Sequence, residues 1–157
     1  MTSIEVWRIQ SSKEKWLELF EQEYLKKLNH FIQVDIKIIK TDNLPRQQSD
    51  QKVKNEEQKV LKALKPEDYL IIFDEAAKES KNSIVFADKI QKALELNKQK
   101  IIFLIGGAFG LSQDVKSRAN LKLSLSPLTM NHHVAYAMAL EQLYRSFTII
   151  NDIPYHN

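Results

Sequence analysis

The sequence predicts an α/β fold in which a mostly parallel sheet carries helices on both faces. Strand-like and helix-like segments alternate along the 157 residues in the order β-α-β-α-β-α-β-α-β-α. Such alternation is typical of parallel sheets, because neighbouring parallel strands are joined through a crossover helix. Residues 69–73 (YLIIF) and 101–105 (IIFLI) are continuously apolar, which indicates strands buried on both faces.

The first predicted strand and helix occupy the N-terminal segment. Residues 4–9 are rich in apolar side chains, and Ser11 with Glu14 has the spacing of a capping box. A helix is expected to follow, because large apolar side chains then recur at one-turn intervals. These side chains are Trp16, Phe20, Tyr24 and Leu28.

A second strand, a loop and a second helix come next. Residues 34–40 (VDIKIIK) alternate between apolar and polar side chains, as strands do. Residues 41–50 are polar and contain Pro45, which predicts an exposed loop. Residues 51–64 form a highly charged helical segment that ends before Pro66.

The remaining elements lie on either side of the strand at 101–105. Ser83 is the predicted N-cap of a third helix, whose apolar face is Ile84, Ala87, Ile90 and Leu94. Residues 114–118 are a short helical turn, 122–125 a fifth short strand, and 132–150 a long final helix. A polar tail, 151–157, ends the chain.

The final helix is apolar on two sides. One stripe consists of Leu140, Leu143, Phe147 and Ile150, and the opposite side carries Val134, Ala137, Met138 and Tyr144. A helix of this kind is buried on both sides. In so small a domain the second side predicts contact with another subunit, as in a homodimer. The alternative is a central helix within a monomer.

Composition restricts the class of protein. An apolar fraction of 43% and a charged fraction of 27% predict one globular domain. The absence of cysteine excludes disulfides and thiolate nucleophiles. No signal-like or membrane-spanning apolar run is present, so we expect a cytoplasmic protein with no membrane partner. The net charge of +3 is evenly spread, and it permits a nucleic-acid partner without requiring one.

All three glycines lie in one loop, residues 106–110 (GGAFG), directly after the strand at 101–105. Loops at the carboxyl ends of parallel strands bind ligands, and glycine lets the backbone approach a ligand closely. The alternative is a plain tight turn. The loop has neither the P-loop nor the Rossmann spacing, so an adenosyl group held by backbone atoms fits better than a phosphate.

Residues 101–156 carry several separated motifs in a fixed order. The strand ends in Ile-Gly-Gly at 105–107, followed by Gly-Leu at 110–111, LSLSPLT at 123–129, His132, EQLYR at 141–145 and Pro-Tyr-His at 154–156. In these motifs, their spacing and the total length, the chain resembles the rRNA large subunit methyltransferase H family.

The resemblance implies a SPOUT α/β knot: a single domain, 1–157, with a C-terminal trefoil knot at about 100–157 that cradles S-adenosylmethionine. It also implies a homodimer that methylates N3 of a pseudouridine in a 23S rRNA stem-loop of the ribosome. The family's cofactor contacts correspond to Phe73, Gly106, Leu125, Ser126, Pro127, Leu128, Thr129 and Met130.

Some positions depart from the family's pattern. Residues 8–11 (RIQS) stand where a Gly-Lys pair is expected, and a glycine expected after the third strand is Ala77. Asn131 replaces a proline, and Tyr136 replaces an arginine. Two alternatives therefore stay open: a catalytically silent SPOUT-like dimer that binds RNA or the ribosome, and a SPOUT methyltransferase acting on another nucleotide.

Methylation of an imide nitrogen requires removal of its proton, which suits histidine. His132 and His156 are the candidates for proton handling or substrate contact, with surface or capping roles as alternatives. Tyr155 is a candidate for stacking on a base, or else a tail anchor. Arg145 is a candidate for binding RNA phosphate, or else a member of an interface ion pair. No metal site is expected, because His132 and His133 are adjacent and point in different directions.

Overall fold

Five parallel strands form one sheet in the order β2-β1-β4-β3-β5. The computed structural model describes residues 1–10, 12–42 and 44–156. The strands are β1 (Ser3–Gln10), β2 (Val34–Lys40), β3 (Tyr69–Phe73), β4 (Lys100–Ile105) and β5 (Leu121–Leu123). The predicted parallel sheet is confirmed, and only β5 is shorter than the expected 122–125.

Five α-helices connect and follow the strands. They are α1 (Lys15–Leu28), α2 (Ser49–Ala63), α3 (Ser83–Glu95), α4 (Gln113–Arg118) and α5 (His132–Ile150), with a 3₁₀ turn at Arg46–Gln48 before α2. The predicted loop at 41–50 is therefore partly helical. Ser11, the predicted cap of α1, lies outside the described residues.

The prediction that Ser83 caps α3 was wrong. Asn82 is the N-cap, and its side chain accepts a hydrogen bond of 2.9 Å from the Val85 amide. Ser83 is the first helical residue instead, and its hydroxyl donates to Gln142 on α5 at 3.1 Å. The reason is that Asn82 has the extended backbone that a capping residue needs.

Helices cover both faces of the sheet, as predicted. On β4, Ile101, Phe103 and Ile105 contribute to the core beneath α1, α3 and α5. Ile102 and Leu104 point the other way, into the core beneath α2 and α4. All five side chains are buried, which explains why this strand is apolar at consecutive positions.

The two apolar sides of α5 have different surroundings. Leu140, Leu143 and Phe147 are buried against the sheet. Tyr144 packs against Tyr24 of α1 in an edge-to-face arrangement, with 5.9 Å between ring centroids. Val134 remains 48% exposed near the start of the helix. Neighbouring helices of the same chain thus account for much of the second side, while its first turns stay uncovered.

One ionic group lies within the core between β1, α1 and α5. Arg8 is only 6% exposed, and its Nε lies 3.2 Å from a Glu21 carboxylate oxygen. The Tyr136 hydroxyl donates to the same carboxylate at 2.5 Å, and the Arg8 guanidinium stands 5.0 Å from the centre of the Tyr136 ring. Burial and the Glu21 carboxylate raise the pKa of Tyr136 well above its usual range. Although Tyr136 replaces the arginine expected at this position, the guanidinium of Arg8 on β1 contacts its ring.

Replacing Tyr136 with phenylalanine is expected to lower the free energy of unfolding by about 1.5–3 kcal/mol, because the partly buried Glu21 carboxylate loses a charge-assisted donor. Urea unfolding at pH 7 measures the change. Tyr24→Phe is the matched control, since that hydroxyl has only a 3.4 Å contact with the Tyr155 hydroxyl, and its cost is expected to be under about 1 kcal/mol. Equal losses in the two variants would contradict the role assigned to the Tyr136 hydroxyl.

Candidate functional site

A cavity of about 430 Å³ lies at the carboxyl ends of β3 and β4. Residues 73–75 and 105–111, which follow these two strands, form part of its wall. The segment before α5, together with Lys116 of α4 and the first turn of α5, forms the rest. Of the predicted cofactor contacts, the cavity is lined by Phe73, Gly106, Leu125, Ser126, Leu128, Thr129 and Met130. Pro127 lies in the same segment, exposed, and is not among the lining residues.

The glycine loop is both a tight turn and a wall of the cavity. The Gly110 amide donates to the Gly107 carbonyl at 3.1 Å, and Gly110 has a φ of +78°. A Cβ added at Gly106 would lie 3.1 Å from Leu111 Cγ, and one at Gly107 would lie 3.1 Å from Ile9 Cγ2. Close packing therefore favours glycine at the first two positions, and the positive φ favours it at the third.

Hydrogen bonds within the chain shape the segment before α5. The Ser126 hydroxyl accepts from the Leu128 amide at 3.0 Å. Asn131 is the N-cap of α5 and accepts from the His133 amide at 2.8 Å. The departure from proline at position 131 therefore has a structural role, because asparagine is a strong capping residue.

His132 lines the cavity from the first turn of α5. Its Nε2 is buried and has no hydrogen-bond partner among the described residues. Burial, and then the positive potential of His133 and Lys52, lower the pKa of His132 below its usual 6.5. The imidazole is therefore neutral at pH 7, and it lines the cavity with its Nε2 buried.

The other three predicted site residues form a separate cluster at the end of α5. Arg145 pairs with Glu141 at 2.7 Å, and its Nη1 lies 3.1 Å from His156 Nδ1. The Tyr155 ring lies under the Arg145 guanidinium, at 4.8 Å. A hydrogen bond with Tyr24 is the largest influence that raises the pKa of Tyr155 to about 12.

This tail cluster, Arg145, Tyr155 and His156, is distant from the cavity. Arg145 follows His132 by thirteen residues on one helix, which corresponds to about 20 Å at 1.5 Å per residue. The structure thus places His132 and the tail cluster at opposite ends of α5.

Two charged residues beneath the glycine loop were missed in the sequence. Glu56 and Lys52, one turn apart on α2, are both buried. The Glu56 carboxylate accepts from the Thr41 hydroxyl at 2.6 Å, and its oxygens lie 3.4 and 3.5 Å from the position a Gly107 Cβ would take. A helix this rich in charges suggests a solvated face, so its pattern gave no signal of these contacts.

Replacing Glu56 with glutamine is expected to become increasingly favourable for stability as pH rises. Burial raises the pKa of Glu56, so the protonated form stabilises the fold below the unfolded value, and that contribution is lost as pH rises through the folded pKa. Glutamine retains an acceptor for the Thr41 hydroxyl and cannot ionise. Urea unfolding at pH 4 and pH 8 should show the stability of Glu56→Gln rising relative to wild type.

Glu57→Gln, the neighbouring position of α2, controls for the loss of one negative charge. The quantity compared is the free energy of unfolding of Glu56→Gln minus that of wild type. If this difference were the same at both pH values, or smaller at pH 8, it would contradict a buried Glu56 carboxylate with a raised pKa.

Neither a metal-binding cluster nor a membrane-spanning helix is present among the described residues. Among residues 1–10, 12–42 and 44–156, no three potential metal-binding side chains of histidine, aspartate or glutamate converge. Within that same part of the chain, no helix has the length and apolar character needed to cross a bilayer.

Comparison with known proteins agrees with these observations. A family model described as a predicted SPOUT methyltransferase matches residues 2–156. The ribosomal RNA large subunit methyltransferase H of Bdellovibrio bacteriovorus is 42% identical over 152 residues, covering 97% of each chain. The protein of that name from Flavobacterium psychrophilum is 33% identical, and the match covers 99% of each chain. The one from Pseudothermotoga lettingae is 38% identical, and the match covers 86% of this chain and 87% of the relative. The resemblance seen in the sequence is confirmed: this chain belongs to the SPOUT methyltransferase family.

Proposed function

We propose that this protein binds S-adenosylmethionine in the cavity behind β3 and β4 and methylates ribosomal RNA. The observation that supports this proposal is that the glycine loop and the segment before α5 line the same cavity. The near full-length relatives named as ribosomal RNA large subunit methyltransferase H support RNA as the substrate. Within this proposal, N3 of a pseudouridine in a 23S rRNA stem-loop is the target that the resemblance implies.

The cavity fits a nucleoside-sized cofactor. Its volume of about 430 Å³ lies within the range of about 300–1,000 Å³ that is usual for small-molecule sites. A Cβ at Gly106 would lie only 3.1 Å from Leu111 Cγ, and with glycine at this position the backbone itself forms that part of the wall. Phe73, Gly106 and the segment 125–130 would hold the adenosyl group.

The chain's own contribution to the chemistry is to hold the acceptor and receive its proton. When bound, the cofactor supplies a methyl group carried on a sulfonium. Neutral His132 lines the cavity, so its imidazole would take the proton that leaves the target nitrogen.

We infer that the active unit is a homodimer in which the tail cluster of one subunit reaches the cavity of the other. The tail cluster lies about 20 Å from His132 of the same chain, too far for both to contact one nucleotide. Exposed Val134 and Leu128 (72% exposed) lie beside the cavity and supply an apolar surface for such an interface. In that arrangement Arg145 would bind a phosphate, Tyr155 would stack on a base, and His156 would contact the target.

The remaining features of the proposal follow from the family. We infer a single domain over residues 1–157, a trefoil knot at about 100–157, and action in the cytoplasm on the 23S rRNA of the ribosome. The support is the ordered set of motifs in the C-terminal half and the family match over residues 2–156.

Two measurements test the proposal. Titration calorimetry with S-adenosylmethionine is expected to show one binding site per chain. Nucleoside mapping of rRNA from a deletion strain is expected to show loss of one methyl group in a 23S stem-loop, restored by the wild-type gene. Absence of cofactor binding would instead favour a silent RNA-binding dimer, and loss of a methyl group elsewhere would indicate another target nucleotide.

A further inference from the structure

Phe109 is an exposed aromatic side chain at the mouth of the cavity. It lies at the apex of the turn that the Gly107–Gly110 hydrogen bond closes, and it is 39% exposed. The φ of +78° at position 110 favours glycine in this turn, but closing the turn does not require an aromatic ring at the apex. The loop therefore presents a flat apolar surface to solvent beside the cavity.

Lys52 places a positive charge next to this ring. Its side chain is packed along α2, with the residue only 9% exposed, and its ammonium lies 5.7 Å from the centre of the Phe109 ring. In the described part of the chain no carboxylate lies within 4.0 Å of that ammonium, whereas Lys59 on the same helix pairs with Asp42 at 3.3 Å. The Glu56 carboxylate one turn away is engaged by Thr41.

The charge of Lys52 is also felt inside the cavity. It contributes, after burial and His133, to the lowered pKa of His132, and His132 lines the cavity. The Glu56 carboxylate interacts with this charge, but no ion pair of 4.0 Å or less neutralises it among the described residues, so an anionic ligand would be attracted to it.

We propose that Phe109 and Lys52 form an outer substrate site for one unpaired RNA nucleotide adjoining the target nucleotide. The Phe109 ring stacks on the base, and the Lys52 ammonium binds a phosphate of the same strand. A ring beside a cation matches a nucleotide, which joins a flat base to an anion. An acidic peptide would pair its carboxylate with Lys52 but would have no base to stack on the Phe109 ring. This site deepens the proposed function and rests on it.

The test separates substrate binding from cofactor binding. Lys52→Met keeps the packed stem and removes the charge, while Lys52→Arg keeps the charge. Phe109→Ala removes the ring, and Phe109→Tyr keeps it. Lys62→Met, at an exposed position near the end of α2, is the matched control for charge. For each variant we would measure S-adenosylmethionine affinity by calorimetry, methyl transfer to ribosomes from the deletion strain, and co-sedimentation with those ribosomes over a range of KCl concentrations.

Both Lys52→Met and Phe109→Ala are expected to raise the KM for ribosomes about tenfold, a larger factor than any accompanying change in cofactor affinity. Lys52→Met should also reduce the slope of log affinity against log salt by about 0.7, the value for one single-strand phosphate contact. Phe109→Ala should leave that slope unchanged, and the two conservative variants and Lys62→Met should behave as wild type.

An unchanged KM in Lys52→Met and Phe109→Ala, with wild type active, would overturn the outer site, as would a loss confined to thermal stability and cofactor affinity. Failure of the proposed function has another signature: wild type transfers no methyl group. Co-sedimentation then still decides the outer site, because ribosome binding must weaken in Lys52→Met and not in Lys62→Met.

Discussion

Replacing Gly106 with valine is expected to weaken binding of S-adenosylmethionine by at least about 100-fold, equivalent to about 2.7 kcal/mol. A Cβ at this position would already lie 3.1 Å from Leu111 Cγ and 3.2 Å from the Gly110 carbonyl carbon. The two γ-methyl groups of valine extend further, and the remaining direction is the cavity that Gly106 lines. The side chain would therefore occupy cofactor space or displace the turn that encloses it.

Gly110→Asn is the matched control in the same loop. No atom lies within 4 Å of a Cβ built at Gly110, and its φ of +78° is one that asparagine tolerates better than other side chains. Calorimetry compares the affinity of the two variants for S-adenosylmethionine, and circular dichroism checks that both are folded. If folded Gly106→Val bound the cofactor as tightly as Gly110→Asn, the glycine loop would not be the wall of the cofactor site.

The fold could be read from the sequence because its strongest signals are local. The apolar runs that became β3 and β4 require burial on both faces, and only a central strand offers that. The predicted bounds of α5, 132–150, match the structure. The cap of α3 was misassigned because Asn82 and Ser83 are both capping residues, and the choice depends on the backbone angles of Asn82, which its residue type does not fix.

The cavity could be anticipated because its walls are contiguous segments behind predicted strands. The polar contacts around it could not, because they join distant parts of the chain. Arg8 in a strand suggests an outward-facing residue, yet it is buried against Glu21 and Tyr136. Lys52 reaches Phe109 only once α2 packs beneath the glycine loop. These pairings depend on the packing of helices on the sheet, which periodicity does not specify.

The distance between His132 and the tail cluster could not be anticipated for a related reason. The family motifs made His132, Tyr155 and His156 candidates for the reaction. The motifs carry no information on which subunit supplies each of these residues to a given site. In the structure α5 runs between them as a rigid helix. One nucleotide can therefore contact both groups only if they come from different subunits, and this gives the homodimer a direct test.

Mixing two inactive variants is expected to restore about a quarter of wild-type activity. His132→Ala and His156→Ala should each reduce methyl transfer by about 100-fold or more as pure proteins, since each removes a group from the reacting site. After random exchange of subunits, half of the dimers contain one chain of each kind. If the tail of one chain completes the cavity of the other, each mixed dimer has one site with both substitutions and one site with neither.

The measurement is methyl transfer to ribosomes from the deletion strain, using subunits co-expressed with different affinity tags and purified through both. The doubly tagged dimer is then expected to have about half of wild-type activity. Co-expression of His132→Ala with the double variant His132→Ala/His156→Ala is the control, because no arrangement of those chains yields an intact site. If the tail instead served the cavity of its own chain, every site in the mixed dimer would carry one substitution, and activity would stay at the level of the pure variants.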